Sequence, residues 1–156
     1  MLENISSKQI KKMTLPQLTS LCEEVRQMII STVYKNGGHL SSNLGAVELT
    51  VAMHYVFDFP EDKVIFDVGH QCYTHKLLSD RYGSFNTIRK KGGISGFPKR
   101  EESVYDCYNT GHAGTSVSAA LGIAKARDIK GEKFNVIALI GDGSFNNGLI
   151  YEAFNS

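Results

Sequence analysis

"FNVIALIGDGSFNN" (134–147) decides the fold. Its first seven residues are almost wholly apolar, as a strand covered on both faces is. Gly141 turns the chain, and a helix opens within Asp142–Asn147. "KVIFDVGH" (63–70) repeats the pattern, because a short β-branched and aromatic run ends in glycine. "YTHKLLSDRYG" then reads as a short helix. Two buried strands alternating with helices predict an α/β fold with a mostly parallel sheet flanked by helices. In such sheets ligands bind beyond the carboxyl ends of the strands. His70 and Asp142 both fall at such ends.

Outward from these strands the pattern is helical. Thr14 caps a helix that tolerates Pro16 in its first turn. Leu18, Leu21, Val25, Met28, Ile29 and Val33 form its apolar stripe. "KNGG" (35–38) ends it through a glycine cap. A second helix runs to about residue 56 with Ser42 or Asn43 as cap, and a third spans Thr115 to about Ile129. Residues 83–112 hold many turn residues and two basic clusters, and predict a long, partly ordered loop. Residues 1–13 read as a polar lead-in, and residues 14–156 as the N-terminal part of one domain, incomplete because no strand follows the last helix.

A chain of 156 residues can bury one core. Its net charge of +1 leaves no electrostatic case for nucleic acid or an anionic membrane. No run of about eighteen apolar residues exists to span a bilayer. Cys22, Cys72 and Cys107 have neither disulfide-framework nor CxxC spacing, so a cytoplasmic chain with reduced thiols is expected. Asn4-Ile5-Ser6 matches a glycosylation pattern, but the polar N-terminus has no apolar signal core.

Several residues have side chains suited to chemistry. Asp142 stands between two glycines before a helix, where an anionic phosphate would be welcome. A carboxylate there repels phosphate unless a cation such as Mg²⁺ lies between them. From these residues alone, an Asp-Gly turn with a capping carboxylate is the favoured reading. Gly111, His112 and Ala113 precede a small-residue helix start that offers free N–H groups to an anion. Close packing of that helix reads equally well. His70 could donate to phosphate or shuttle a proton, or be a satisfied structural histidine. His39, after Gly37-Gly38, sits on irregular exposed backbone, as a ligand contact or as a plain loop residue. His54 and His75 read as ordinary helix residues. His70 and His75 do not share a helix face for zinc. No GxSxG, GxGxxG or GxxxxGK[ST] element occurs. Lys90-Lys91 and Lys99-Arg100 read as a solvated face or as a hold for a substrate phosphate.

"GGHLSSNLGAVELTVAMHYVF", "DVGHQCYTHKLL", "IRKKGGISGFPKR", "TGHAGTSVSAALGIAKA" and "IGDGSFNNGLIYEAFN" occur in that order. From about residue 14 onward the chain resembles the N-terminal part of the 1-deoxy-D-xylulose-5-phosphate synthase family. These are transketolase-like thiamine-diphosphate enzymes. The resemblance implies a thiamine-diphosphate-binding fold. It also implies a transferase that condenses pyruvate, with decarboxylation, and glyceraldehyde 3-phosphate, feeding isoprenoid, thiamine and pyridoxal synthesis. By matching motif, Asp142 resembles the first Mg²⁺ ligand, and Gly143 and Ser144 its diphosphate-contacting neighbours. His70 resembles the cofactor-contacting histidine. Gly111, His112 and Ala113 resemble the loop under the diphosphate, and His39 the histidine near the reactive thiazolium and substrate. A homodimer is implied for the full-length enzyme.

The family's GDG motif closes downstream on an asparagine ligand. Asn146, Asn147 and Asn155 stand too early for it, so half a metal site and a fragment inactive alone are expected. Two other readings stay open: a transketolase or the N-terminal subunit of a split one, and a non-catalytic interaction module.

Overall fold

The computed structural model describes residue 2 and residues 5–156. Asn4, and with it the glycosylation-pattern match, lies outside the described residues. The chain divides into two compact units, Met1–Asp58 with His70–Gly96, and Phe59–Gly69 with Phe97–Ser156.

The first unit is helical. Helix α1 (Ser7–Ile10) is one turn within the expected polar lead-in, and its Ile10 is fully buried. Helix α2 (Leu15–Asn36) begins at Thr14. The Gln17 side-chain oxygen accepts from the Thr14 N–H at 2.8 Å and from its hydroxyl at 3.0 Å, which closes the first turn. Leu21, Val25, Ile29 and Val33 bury the expected stripe. Gly37 ends the helix at φ 74°, a left-handed backbone that favours glycine. The Asn36 amide donates to the carbonyls of Asn86 (2.9 Å) and Ile88 (3.1 Å).

The single helix expected from Ser42 or Asn43 to residue 56 is two, α3 (Ser41–Leu44) and α4 (Val47–Val56). Asn43 lies inside α3 and does not cap it. Its side chain bonds the backbone at His39, His70 and Tyr73, and the helix breaks at Gly45-Ala46. Helix α5 (Tyr73–Leu78) is wholly buried and packs on α2 and α4. A 3₁₀ turn (Tyr82–Thr87) follows it. The segment expected as a partly ordered loop is a chain of hydrogen-bonded turns, with Arg89 N–H donating to Ile94 O at 2.8 Å.

The second unit holds the sheet. Strands β1 (Lys63–Phe66) and β2 (Val136–Leu139) pair in parallel, Lys63 opposite Val136 and Phe66 opposite Leu139. Helix α6 (Ser116–Lys130) packs on both, and Gly131 ends it in the left-handed region. This is the α/β arrangement expected, with two corrections. First, β1 stops at Phe66, four residues before His70. Asp67 turns out of the strand, and Val68 and Gly69 follow at φ 59° and 90°. Second, β2 is half-buried at all four positions instead of covered on both faces. Beyond β2 the chain turns into α7 (Asp142–Phe145) and α8 (Gly148–Phe154), with Asn147 capping α8 through a bond from Leu149 N–H.

Candidate functional site

The sequence-predicted residues fall into two groups, one in each unit. His39 and His70 lie together in the first. Their ring centroids are 5.2 Å apart at 64°, an edge-on approach. His39 is exposed and His70 half-buried. Burial, then the positive charges of His70 and Arg89, hold the His39 imidazole below its ordinary value. A neutral ring that can accept a proton is the consequence. Nδ1 of His70 is buried without a hydrogen-bond partner.

The backbone holding these rings is built by residues that the sequence placed at helix ends, not in the site. Asn43, fully buried, donates from Nδ2 to the carbonyls of His39 (2.6 Å) and His70 (2.7 Å). Its Oδ1 accepts the Tyr73 N–H at 2.9 Å. Gly38 must be glycine, since a Cβ there would stand 2.7 Å from the Tyr73 hydroxyl and 3.2 Å from Arg89 Cδ. That hydroxyl is itself buried without a partner. Buried unpaired polar atoms cost free energy and are uncommon; here one lies on a candidate histidine and another beneath the glycine that precedes its partner.

The second group gathers around Asp67 at the end of β1. Its carboxylate is 1% exposed. It accepts the Gly114 N–H (2.9 and 3.1 Å), the Ser116 N–H (3.1 Å) and the Ser116 hydroxyl (2.7 Å). Burial pushes its pKa up, but these bonds and one from the Ser144 hydroxyl outweigh burial and hold it below the ordinary value. The N-terminus of α6 was expected to offer free N–H groups to a ligand anion. At Gly114 and Ser116 the chain supplies that anion itself.

Gly111, His112 and Ala113 are exposed just before this cap, and Asp142 and Gly143 are exposed at the start of α7. A Cβ at Gly111, Gly141 or Gly143 would meet nothing within 4 Å, so the backbone is open to a ligand on that side. The two loops touch through Gly114, where a Cβ would stand 2.5 Å from Asn147 Cγ. Asp142 is a single carboxylate, and no group of three or more metal-ligating side chains occurs among the described residues. A lone carboxylate is a hard oxygen donor of the kind that divalent cations such as magnesium take.

The family model described as 1-deoxy-D-xylulose-5-phosphate synthase matches residues 2–156. The chain belongs to that family. The protein of that name from Dictyoglomus thermophilum is 58% identical over 156 residues, 99% of this chain and 25% of the relative. That of Dictyoglomus turgidum is 59% identical over 150 residues, 96% of this chain and 24% of the relative. That of Caldanaerobacter subterraneus is 55% identical over 157 residues, 100% of this chain and 25% of the relative. The chain therefore spans about a quarter of the length of the curated family members it matches. The transketolase reading gives way to this family.

Proposed function

We propose that this chain forms part of the thiamine-diphosphate site of a 1-deoxy-D-xylulose-5-phosphate synthase, which joins pyruvate, with loss of CO₂, to glyceraldehyde 3-phosphate. The observation that carries the reading is the edge-on His39–His70 pair in a chain matched from end to end by that family. Thiamine diphosphate, when bound, supplies the stabilised carbanion chemistry that the decarboxylation and the new carbon–carbon bond require.

The chain's own residues do the rest. His39, kept neutral, takes or returns a proton at a ring nitrogen facing the reacting groups. His70 offers its buried, unpartnered Nδ1 to the cofactor. Gly111, His112 and Ala113 bring exposed backbone to the diphosphate, as does Gly143, with Ser144 beside it bonded to Asp67. Asp142 would hold Mg²⁺ through its carboxylate, with the remaining ligands supplied from outside these residues or by water. The relatives' greater length supports a site completed by further chain, and in that larger protein a homodimer is part of the proposal.

Calorimetric titration of thiamine diphosphate into this chain tests the reading. Weak binding is expected, strengthened by Mg²⁺; Asp142→Asn removes that strengthening, and His70→Ala abolishes binding. No heat of binding at millimolar cofactor, or binding indifferent to both substitutions, would overturn it.

A further inference from the structure

We propose that Asn43 is the positioning residue of the histidine pair: its one side-chain amide fixes the backbones of both His39 and His70 and so sets the distance between their rings. The inference rests on the proposed role of that pair. No motif places Asn43 in the site, since its side chain touches backbone alone.

Every hydrogen-bonding direction converges. Both Nδ2 hydrogens are used, one on His39 O at 2.6 Å and one on His70 O at 2.7 Å. Oδ1 accepts Tyr73 N–H at 2.9 Å. The amide thus joins two stretches of chain: the loop carrying His39, and the turn at His70 that leads into the first residue of α5. Asn43 is fully buried, so no solvent competes for these bonds. His39 itself is exposed and follows Gly37 and Gly38, both at positive φ. Neither glycine restrains the loop as a side-chain-bearing residue would. The Asn43 amide links the carbonyl of His39 to the carbonyl of His70. Small losses of alignment matter in a site of this kind, where displacement by about 1 Å can cost on the order of a hundredfold in rate.

The test uses the uncharged variants Asn43→Ala and Asn43→Ser, with imidazole titrations of this chain followed by NMR. His70 and Arg89 are the charged or titratable groups that face His39 and depress its protonation, together with its burial. If Asn43 sets the pair, His39 titrates at higher pH in Asn43→Ala as its ring leaves His70 and gains water. The ring-to-ring cross-peaks to His70 are lost with it. Asn43→Ser keeps one donor and gives an intermediate shift, and it decides the matter if the alanine variant fails to fold. The buried His54–His75 pair of the same unit is the internal control, because general loosening would move His54 too. An unmoved His39 titration in a folded variant, or equal movement of His39 and His54, would overturn the inference. Those outcomes leave the histidines' cofactor role intact. That role fails separately, if thiamine diphosphate binding survives His70→Ala while the titrations behave as stated.

Discussion

The Ser116 hydroxyl donates to the Asp67 carboxylate at 2.7 Å, across 49 residues of chain. With the N–H groups of Gly114 and Ser116 on the same carboxylate, the bond ties the end of β1 to the start of α6. A buried carboxylate at a helix N-terminus, accepting several hydrogen bonds, is stabilised as an anion. Asp67→Ala leaves those donors unpaired and is expected to cost about 3 kcal/mol in a urea unfolding titration.

The same carboxylate sets an acid limit. Its pKa in the folded chain lies below the ordinary 3.8. Its contribution to stability is therefore complete above that value and is lost as pH falls through the lower folded one. Urea midpoints of the wild-type chain should fall steeply below about pH 4, and those of Asp67→Asn should fall less. Parallel curves would refute this.

His54 and His75 produce a second, milder pH dependence. Nε2 of His54 and Nδ1 of His75 are 3.0 Å apart, both residues almost fully buried between α4 and α5. Burial, then the charges of His75 and Arg81, push His54 well below 6.5. On acidification the unfolded chain takes up a proton that folded His54 refuses, so stability falls as pH drops below that value. The slope is at most about 1.4 kcal/mol per pH unit for one such group. Urea midpoints measured from pH 7.5 to 5.5, in wild type and in His54→Gln, check it; the variant should show the flatter curve.

Gly69 is the tightest backbone position beside the strand end. It sits at φ 90°, and a Cβ would overlap the Thr110 hydroxyl and come within 2.6 Å of Pro98 Cδ. Gly69→Ala is expected to destabilise by about 2 kcal/mol or more, visible as a lowered Tm. An unchanged Tm would mean that the turn relaxes freely.

Asp142 is the counter-example, a residue expected to matter for binding and not for folding. Its side chain is exposed at the start of α7. Asp142→Asn should leave unfolding free energy within about 0.5 kcal/mol of wild type, while the Mg²⁺ dependence of thiamine diphosphate binding disappears.

These residues mark what could be read in the sequence. The strands were legible because β-branched and apolar runs end at glycine, and α2 because Thr14, Pro16 and Gly37 are local signals. The break between α3 and α4 was not, since "GAVELTVAM" carries no breaker strong enough to announce it. The break falls at Gly45-Ala46, two residues beyond Asn43, whose side chain bonds the His70 carbonyl. The early end of β1 is similar: the Asp67 side chain accepts from donors that lie beyond residue 110 in sequence, while its N–H still donates to Leu139 O. Histidines and glycine turns can be recognised locally, but the amide and the carboxylate that hold them act through tertiary contacts.

Asn36 carries a consequence for the ageing of the protein. An asparagine followed by glycine is the pair most prone to lose its amide, through attack of the next residue's nitrogen on the side chain. Here the Asn36 amide is held by the carbonyls of Asn86 and Ile88, and the Gly37 nitrogen donates to Val33 O at 2.8 Å. Neither reacting group is free while α2 keeps its last turn. Deamidation at this position therefore proceeds when that turn opens, and the fraction converted in a stored sample is a chemical clock of the time the end of the helix has spent undone.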